Sequence, residues 1–343
     1  MHRVSNRWLQ MAAVLLMGSA YAFPVLAAGP GYQVVDKQVL EGPVRWDYLS
    51  MDAARHHLFL TRGDHVDVFD VVEKRVTGTI AATAGVHGVA VASDLGHGYT
   101  SNGASNNVTV FDLESFKPLA TIAVGAKPDA LVYDGATHRV FVANGKSNSL
   151  SVIDAQTNKV EAEIALGGGP ETAVVDGAGK LFVALEDKNE VLEVDTRALK
   201  VSRRFSVAPV CDEPAGLAIN VQAKLLYAGC HNQKLAMLDA QSGKVVGSAA
   251  IGHGNDAVVF DPERGLVFAS NGDGSLTVVS GAAPFAVQAS VPTMPRARTV
   301  TIDPATHKLY LVSAEVDPAA HAAAGRQPPL KAGTFTLLTV EPR

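Results

Sequence analysis

Ala130-Leu-Val-Tyr-Asp134, Arg139-Val-Phe-Val-Ala-Asn144, Ser149-Leu-Ser-Val-Ile-Asp154 and Lys159-Val-Glu-Ala-Glu-Ile164 are four short runs separated by turns such as Gly145-Lys-Ser-Asn148 and Ala155-Gln-Thr-Asn158. In the third run small polar residues alternate with large apolar ones, and the fourth alternates in the same way. A period of two marks half-buried strands, because successive side chains of a strand point to opposite faces. Helical repeats of similar length would need a period near 3.6, which is missing. The stretch predicts a four-stranded antiparallel sheet.

The first of these runs recurs along the chain. It stands as Tyr48-Leu-Ser-Met-Asp52, Gly88-Val-Ala-Val-Ala92, Ala130-Leu-Val-Tyr-Asp134 and Thr172-Ala-Val-Val-Asp176. It continues as Gly216-Leu-Ala-Ile-Asn220, Ala257-Val-Val-Phe-Asp261 and Thr299-Val-Thr-Ile-Asp303, with successive ends 40, 42, 42, 44, 41 and 42 residues apart. A repeat of that length with four strands and no helix predicts a propeller blade. After the seventh copy only Lys308–Ser313 and Gly333–Val340 remain, one strand short. Tyr32–Pro43 resembles an outer strand, so it is expected to complete blade seven and protect an edge. Size alone would suggest two domains for 343 residues. The repeat instead predicts one all-β, seven-bladed propeller over residues 28–343. A composition of 47% hydrophobic and 18% charged residues excludes a disordered chain.

The strand pairs Tyr99-Thr-Ser-Asn102 with Val108-Thr-Val-Phe-Asp112, Phe141-Val-Ala-Asn144 with Leu150-Ser-Val-Ile-Asp154, and Phe268-Ala-Ser-Asn271 with Leu276-Thr-Val-Val279 resemble a known motif. With the lead-in Val124-Gly-Ala-Lys-Pro128, they are similar to the YVTN repeat proteins, YncE-like seven-bladed propellers exported by bacteria and archaea. The resemblance covers essentially all of residues 28–343. It implies the fold and not a reaction, since related propellers serve as binding platforms, redox-enzyme domains or lactonases.

Residues 1–27 combine Arg3 and Arg7, an apolar run Met11–Met17, and small residues at Ala20-Tyr-Ala22 and Val25-Leu-Ala27. They are expected to be a signal peptide cleaved after Ala22 or Ala27, the alternative being a retained anchor. Their removal takes the net charge from −5 to −7. A mildly acidic surface gives no general attraction to nucleic acid or anionic lipid. No apolar stretch after them is long enough to span a membrane. The chain is expected to be periplasmic or secreted, and monomeric. Cys211 and Cys230, in an oxidising compartment, suggest one disulfide. Cys230 ends a second strand and Cys211 precedes Pro214, so the strand ends lie side by side; a redox-active pair is the other reading.

Two rings of side chains are expected around the axial mouth. The first, five residues before each strand end, comprises Asp47, His87, Asp129, Glu171, Ala215, Asp256 and Arg298. The second, at the motif Asn, comprises Arg62, Asn102, Asn144, Leu185, Cys230, Asn271 and Ser313. The Asn residues are expected to take a left-handed backbone and bond to their own turn. Charge sorts by blade: Arg45, Arg62, Arg296 and Arg298 on blades one and seven, Asp129, Glu171, Asp212, Glu213 and Asp256 on the third to sixth. Such a mouth suits a small anionic ligand; alternatively Arg298 pairs with Asp47 and Asp256 and only knits the ring.

Carboxylates with His87 also suit a divalent cation, for which His87, Asp129, Glu171 and Asp256 are the candidate ligands. No compact metal motif, nucleophile elbow or haem site supports it. Trp46, beside Asp47, either stacks a ligand ring or packs under the N-terminal strand. His253 reads as a loop histidine near the mouth. The Ala/Pro-rich insertion 315–332 in blade seven is either a flap over the mouth or plain disorder. Two functions are expected: a non-catalytic binding platform for a small anionic ligand or a periplasmic protein, and alternatively a metal-assisted lactonase, hydrolase or lyase at the same mouth.

Overall fold

A computed structural model describes residues 31–317 and 328–343. They form seven four-stranded antiparallel sheets, six built from consecutive strands. The seventh contains Val300–Asp303, Lys308–Ser313 and Thr336–Pro342, with Tyr32–Val39 as its outer strand. Register runs from Tyr32↔Pro342 to Val39↔Thr336, so the chain ends close the ring as the strand count requires. Among the described residues the one helical segment is the 3₁₀ turn Glu186–Lys188, and no helix is long and apolar enough to cross a membrane. The proposed signal peptide lies outside the described residues, as do residues 318–327 of the blade-seven insertion. The flanks of that insertion meet in a bridge between Val316 and Leu330.

The recurring Asp has a local cause. Asp70, Asp112, Asp154, Asp195 and Asp239 end third strands, and each carboxylate accepts from the backbone N–H groups two and three residues on. The side chain thereby folds the turn into the fourth strand. Asp134, Asp261 and Asp303 accept from the backbone in the same way after first strands.

Packing then joins the blades. Seven apolar clusters fill the seven interfaces between neighbouring sheets. Each second strand supplies one large buried ring to them: Phe59, Tyr99, Phe141, Phe182, Tyr227, Phe268 and Tyr310. The tyrosines among these need a partner for the hydroxyl once buried. Tyr99 donates to the Ala155 carbonyl (3.1 Å) and Tyr227 to that of Gly281 (2.6 Å), both on the next blade.

Cys211 and Cys230 form the disulfide, with Cα atoms 5.4 Å apart and both residues fully buried. The bond fastens the longest spacer between repeats to blade five, where Pro214 pairs with Cys230. It closes a span of 19 residues. Replacing both cysteines by alanine is expected to cost about 3 kcal/mol, read as a lower urea midpoint. An unchanged midpoint would show that the bond does not brace the blade.

Candidate functional site: the axial mouth

The first ring is built by β-bulges. In blade three Pro128 pairs with Asn144 and Leu131 with Val142, so Asp129 and Ala130 together oppose one residue. The same shift occurs at His87, Glu171 and Ala215, and Asp256 is a single extra residue between two pairs. A bulge twists its strand and re-aims a side chain. Here it turns the ring residues toward the axis from inside the first strand, not from a preceding loop. In blades one and seven the first strand is shorter, and Asp47 and Arg298 stand just ahead of it.

The ring is one connected network. His87 Nδ1 lies 2.6 Å from Asp47 Oδ2 and 3.4 Å from Asp129 Oδ1. Arg298 Nε lies 3.1 Å from Asp256 Oδ2, and its other nitrogen reaches Asp47 Oδ1 at 3.7 Å. Arg298 therefore knits its two flanking blades. Glu171 is reached from across the axis, where the Tyr48 hydroxyl donates to its Oε1 at 3.3 Å. Tyr48, from blade one, packs against the core between blades three and four.

Four carboxyl groups against one guanidinium and one imidazole leave negative charge in excess, and burial makes that excess costly. Protons make up part of the difference. Burial, reinforced by Asp129 and Asp256, pushes the Glu171 carboxyl up to about 8. Burial raises Asp256 to about 6 even though Arg298 draws it down. Asp129 is raised by burial against the pull of His87. Burial depresses His87, but the hydrogen bond it donates to Asp47 and the charge of Asp129 outweigh it and hold the imidazole above its ordinary value. Burial and Glu171 push the Tyr48 phenol well up, so it stays a donor.

The second ring is structural, and two expectations about it need correction. Arg62 does not face the mouth. Its side chain is fully buried, paired with Asp67 at 2.5 Å, bonded to the Glu41 and Pro43 carbonyls, and stacked 3.9 Å over the Phe335 ring. Closure of the ring covers this position, so the guanidinium locks blade one to the chain's N-terminal stretch. The motif asparagines are not left-handed either; Asn106 and Asn148, at the ends of the following turns, are. The Asn102, Asn144 and Asn271 side chains cross to the third strand, donating to Thr109, Ser151 and Thr277 hydroxyls at 2.9–3.1 Å. Their role is to clamp strands two and three at the mouth. Leu185 sits in the core, and Ser313 bonds to the Pro295 carbonyl.

To one side of the axis, among blades five, six, seven and one, lies a cavity of about 730 Å³. Asp256 and Arg298 of the ring line it, together with Arg45, Arg296, Trp46 and Leu330. Trp46 packs on Phe335 (ring centroids 5.8 Å apart) and also lines the cavity. His253 also lines it, its backbone N–H held by Asp273 at 2.8 Å. His231, which sequence reasoning passed over, joins them and bonds to Glu213 at 2.9 Å.

Among the described residues two groups offer metal-ligand atoms within 4.8 Å of one another: Asp47, His87 and Asp129, and separately Glu186, Glu213 and His231. Glu171 and Asp256 belong to neither group. Tyr48 was also missed, although a signal existed. At its position the other six repeats carry only Gly, Ala or Thr.

A family model described as outer membrane protein assembly factor BamB matches residues 104–315. No curated protein sequence matches the chain. Among solved structures, hydrazine synthase of Kuenenia stuttgartiensis superposes with a TM-score of 0.71 at 17% identity, over 81% of this chain and 94% of that one. A chain of the mitotic checkpoint complex gives 0.74 at 15% identity, over 97% and 98%. The WD40 repeats of RRP9 give 0.76 at 12%, over 92% and 99%. At such identities the likeness is one of fold.

Two outcomes follow from the electrostatics. Removing the Arg62 guanidinium strands a buried carboxylate, so Arg62→Ala is expected to cost about 3–5 kcal/mol in a denaturant titration, while leaving the mouth network intact. Glu171, Asp256 and His87 all bind a proton more tightly when folded than when unfolded, where the carboxyls titrate near pH 4. Their contribution is complete at low pH and is lost as pH rises through about 6 and about 8. The urea midpoint should therefore fall between pH 5 and 8.5, and Glu171→Gln should flatten the upper part of that fall. A midpoint rising over this window would contradict the assignment.

Proposed function

The chain belongs to the family described as outer membrane protein assembly factor BamB, and from that premise we propose that it is an exported binding platform holding a small anionic ligand at the mouth of its propeller. The carrying observation is the cavity, where Arg45 and Arg296 pair with no carboxylate among the described residues. Export is supported by the signal-like residues 1–27, by the YVTN-like repeat motif, and by a disulfide of the kind that persists in oxidising compartments. In this reading the protein is periplasmic or secreted and monomeric. Nucleic acid is not a partner, because an overall charge of −7 after removal of residues 1–27 repels phosphate. A periplasmic protein is the larger occupant that the same mouth would accept, in keeping with the words assembly factor.

The second reading is a metal-assisted lactonase, hydrolase or lyase, favoured by the Asp47, His87 and Asp129 ligand set. A divalent cation there would act as a Lewis acid. It would have to break the 2.6 Å contact between His87 and Asp47 and compete with Arg298 for Asp47. The platform is therefore the stronger reading.

Native mass spectrometry of protein purified from the periplasm tests both. The platform predicts a bound small species that is missing when Leu330→Trp fills the cavity. A stoichiometric metal that survives dialysis and disappears in Asp129→Ala would move the case to the enzyme. Protein that carries neither would count against both readings.

A further inference from the structure

The deepest question left by the cavity is which anion it fits. This step depends on reading the mouth as a binding platform and narrows the ligand's class. Of the three arginines that line the cavity among the described residues, Arg298 is already engaged with Asp256 and Asp47. Arg296 is not: its side chain makes one hydrogen bond, to the Pro328 carbonyl at 2.5 Å, and has no ion pair among the described residues. Burial and the neighbouring Arg298 charge weaken its hold on its proton. Its backbone is also held in a left-handed conformation (φ 67°), by bonds from its N–H to the Gly272 carbonyl (2.7 Å) and from the Arg298 N–H to its own carbonyl (2.8 Å). A non-glycine residue at positive φ costs free energy. Here that geometry turns an uncompensated guanidinium into a cavity that already contains another one. Arg45, draped over Gly63, is exposed and equally without an ion pair among the described residues.

The acids in the same cavity are satisfied. Asp256 is on Arg298, Glu213 is on His231, and Asp273 accepts from the His253 and Ser275 N–H groups. Among the described residues the formal charges on the lining cancel, three arginines against three carboxylates. A first negative charge therefore enters a lining of zero net charge and lies on Arg296 and Arg45, whereas a second is added to a site that is already net negative. The rest of the ligand is shaped by the wall beside the two arginines. Val44, Trp46 and Leu330 make that wall apolar. The Trp46 indole N–H is buried without an acceptor, so packing alone holds the ring there. A flat ring beside an uncompensated cation is the arrangement that seats a planar apolar body with a charged end.

We infer that the mouth cavity binds an aromatic monocarboxylate, its carboxylate on Arg296 and Arg45 and its ring against Trp46, Val44 and Leu330.

Trp46 is the only tryptophan after residue 27, so its fluorescence reports on the site directly. The probes are 4-nitrobenzoate, the neutral 4-nitrobenzamide and the dianionic 4-nitrophenyl phosphate, titrated into the exported protein. The carboxylate is expected to quench saturably, at least tenfold more tightly than either of the others. Arg296→Gln should weaken it tenfold or more and leave the amide unchanged, with Arg45→Gln giving a smaller loss. Both variants should melt like the parent, because no ion pair is removed. Trp46→Phe, followed by calorimetry, should keep most of the affinity, whereas Trp46→Ala should lose it. Equal affinity for acid and amide, or a carboxylate affinity indifferent to Arg296→Gln and Arg45→Gln, would overturn the inference. Tighter binding of the phosphate would overturn the monoanion. If 4-nitrobenzoate does not bind while the species seen by native mass spectrometry still does, only the ligand class is wrong; if nothing binds in either experiment, the platform reading goes with it.

Discussion

The pairing of Tyr32–Val39 with Thr336–Pro342 closes the ring, and the remaining structure depends on that seam. Leu58, Leu60, Tyr310 and Phe335 are buried only because blades seven and one meet. The guanidinium of Arg62 is covered by the same junction, against Phe335 and the carbonyls of Glu41 and Pro43. The mouth crosses the seam as well. Arg298 on blade seven bonds to Asp47 on blade one, and Thr299 donates to the Asp47 carbonyl at 2.9 Å. A protein built from local hairpins thus has a site that exists only after its two ends have joined.

Convergence also creates the electrostatic problem at the axis. Seven sheets point their first strands at one line, and bulges turn several carboxyl groups toward it. Separated on a surface, such groups ionise independently. Brought together and dehydrated, they retain protons, and Glu171 and Asp256 do so most strongly. Arg298 and His87 neutralise the half of the ring near blades one, two and seven. The cavity adjoins this centre, and in it Arg45 and Arg296 have no carboxylate partner among the described residues.

The fold was legible because its determinants are local and repeated seven times. An Asp at a strand end folds its own turn, and period-two alternation chooses the buried face. The first ring was legible too, since a fixed offset from the strand end survives every repeat. What escaped were interactions set by neighbours rather than by period. Arg62 occupies a motif position, but its surroundings come from the closing strand, far away in sequence. The asparagines looked like turn residues because Asn favours left-handed backbone. The neighbouring strand's hydroxyl groups instead give their amides a better use. His231 and the cavity depend on how blades five to seven lean together, which no single repeat encodes. Tyr48 stood in plain view, since small residues fill its position elsewhere. At Gly216, for instance, an added Cβ would come within 2.8 Å of the Ala257 backbone.

Tyr48 carries a mechanical consequence. Its hydroxyl meets Glu171 on blade four, nearly opposite its own blade. A ring of wedges joined only to neighbours deforms easily into an oval, because each interface can hinge a little. A spoke across the hub removes that mode.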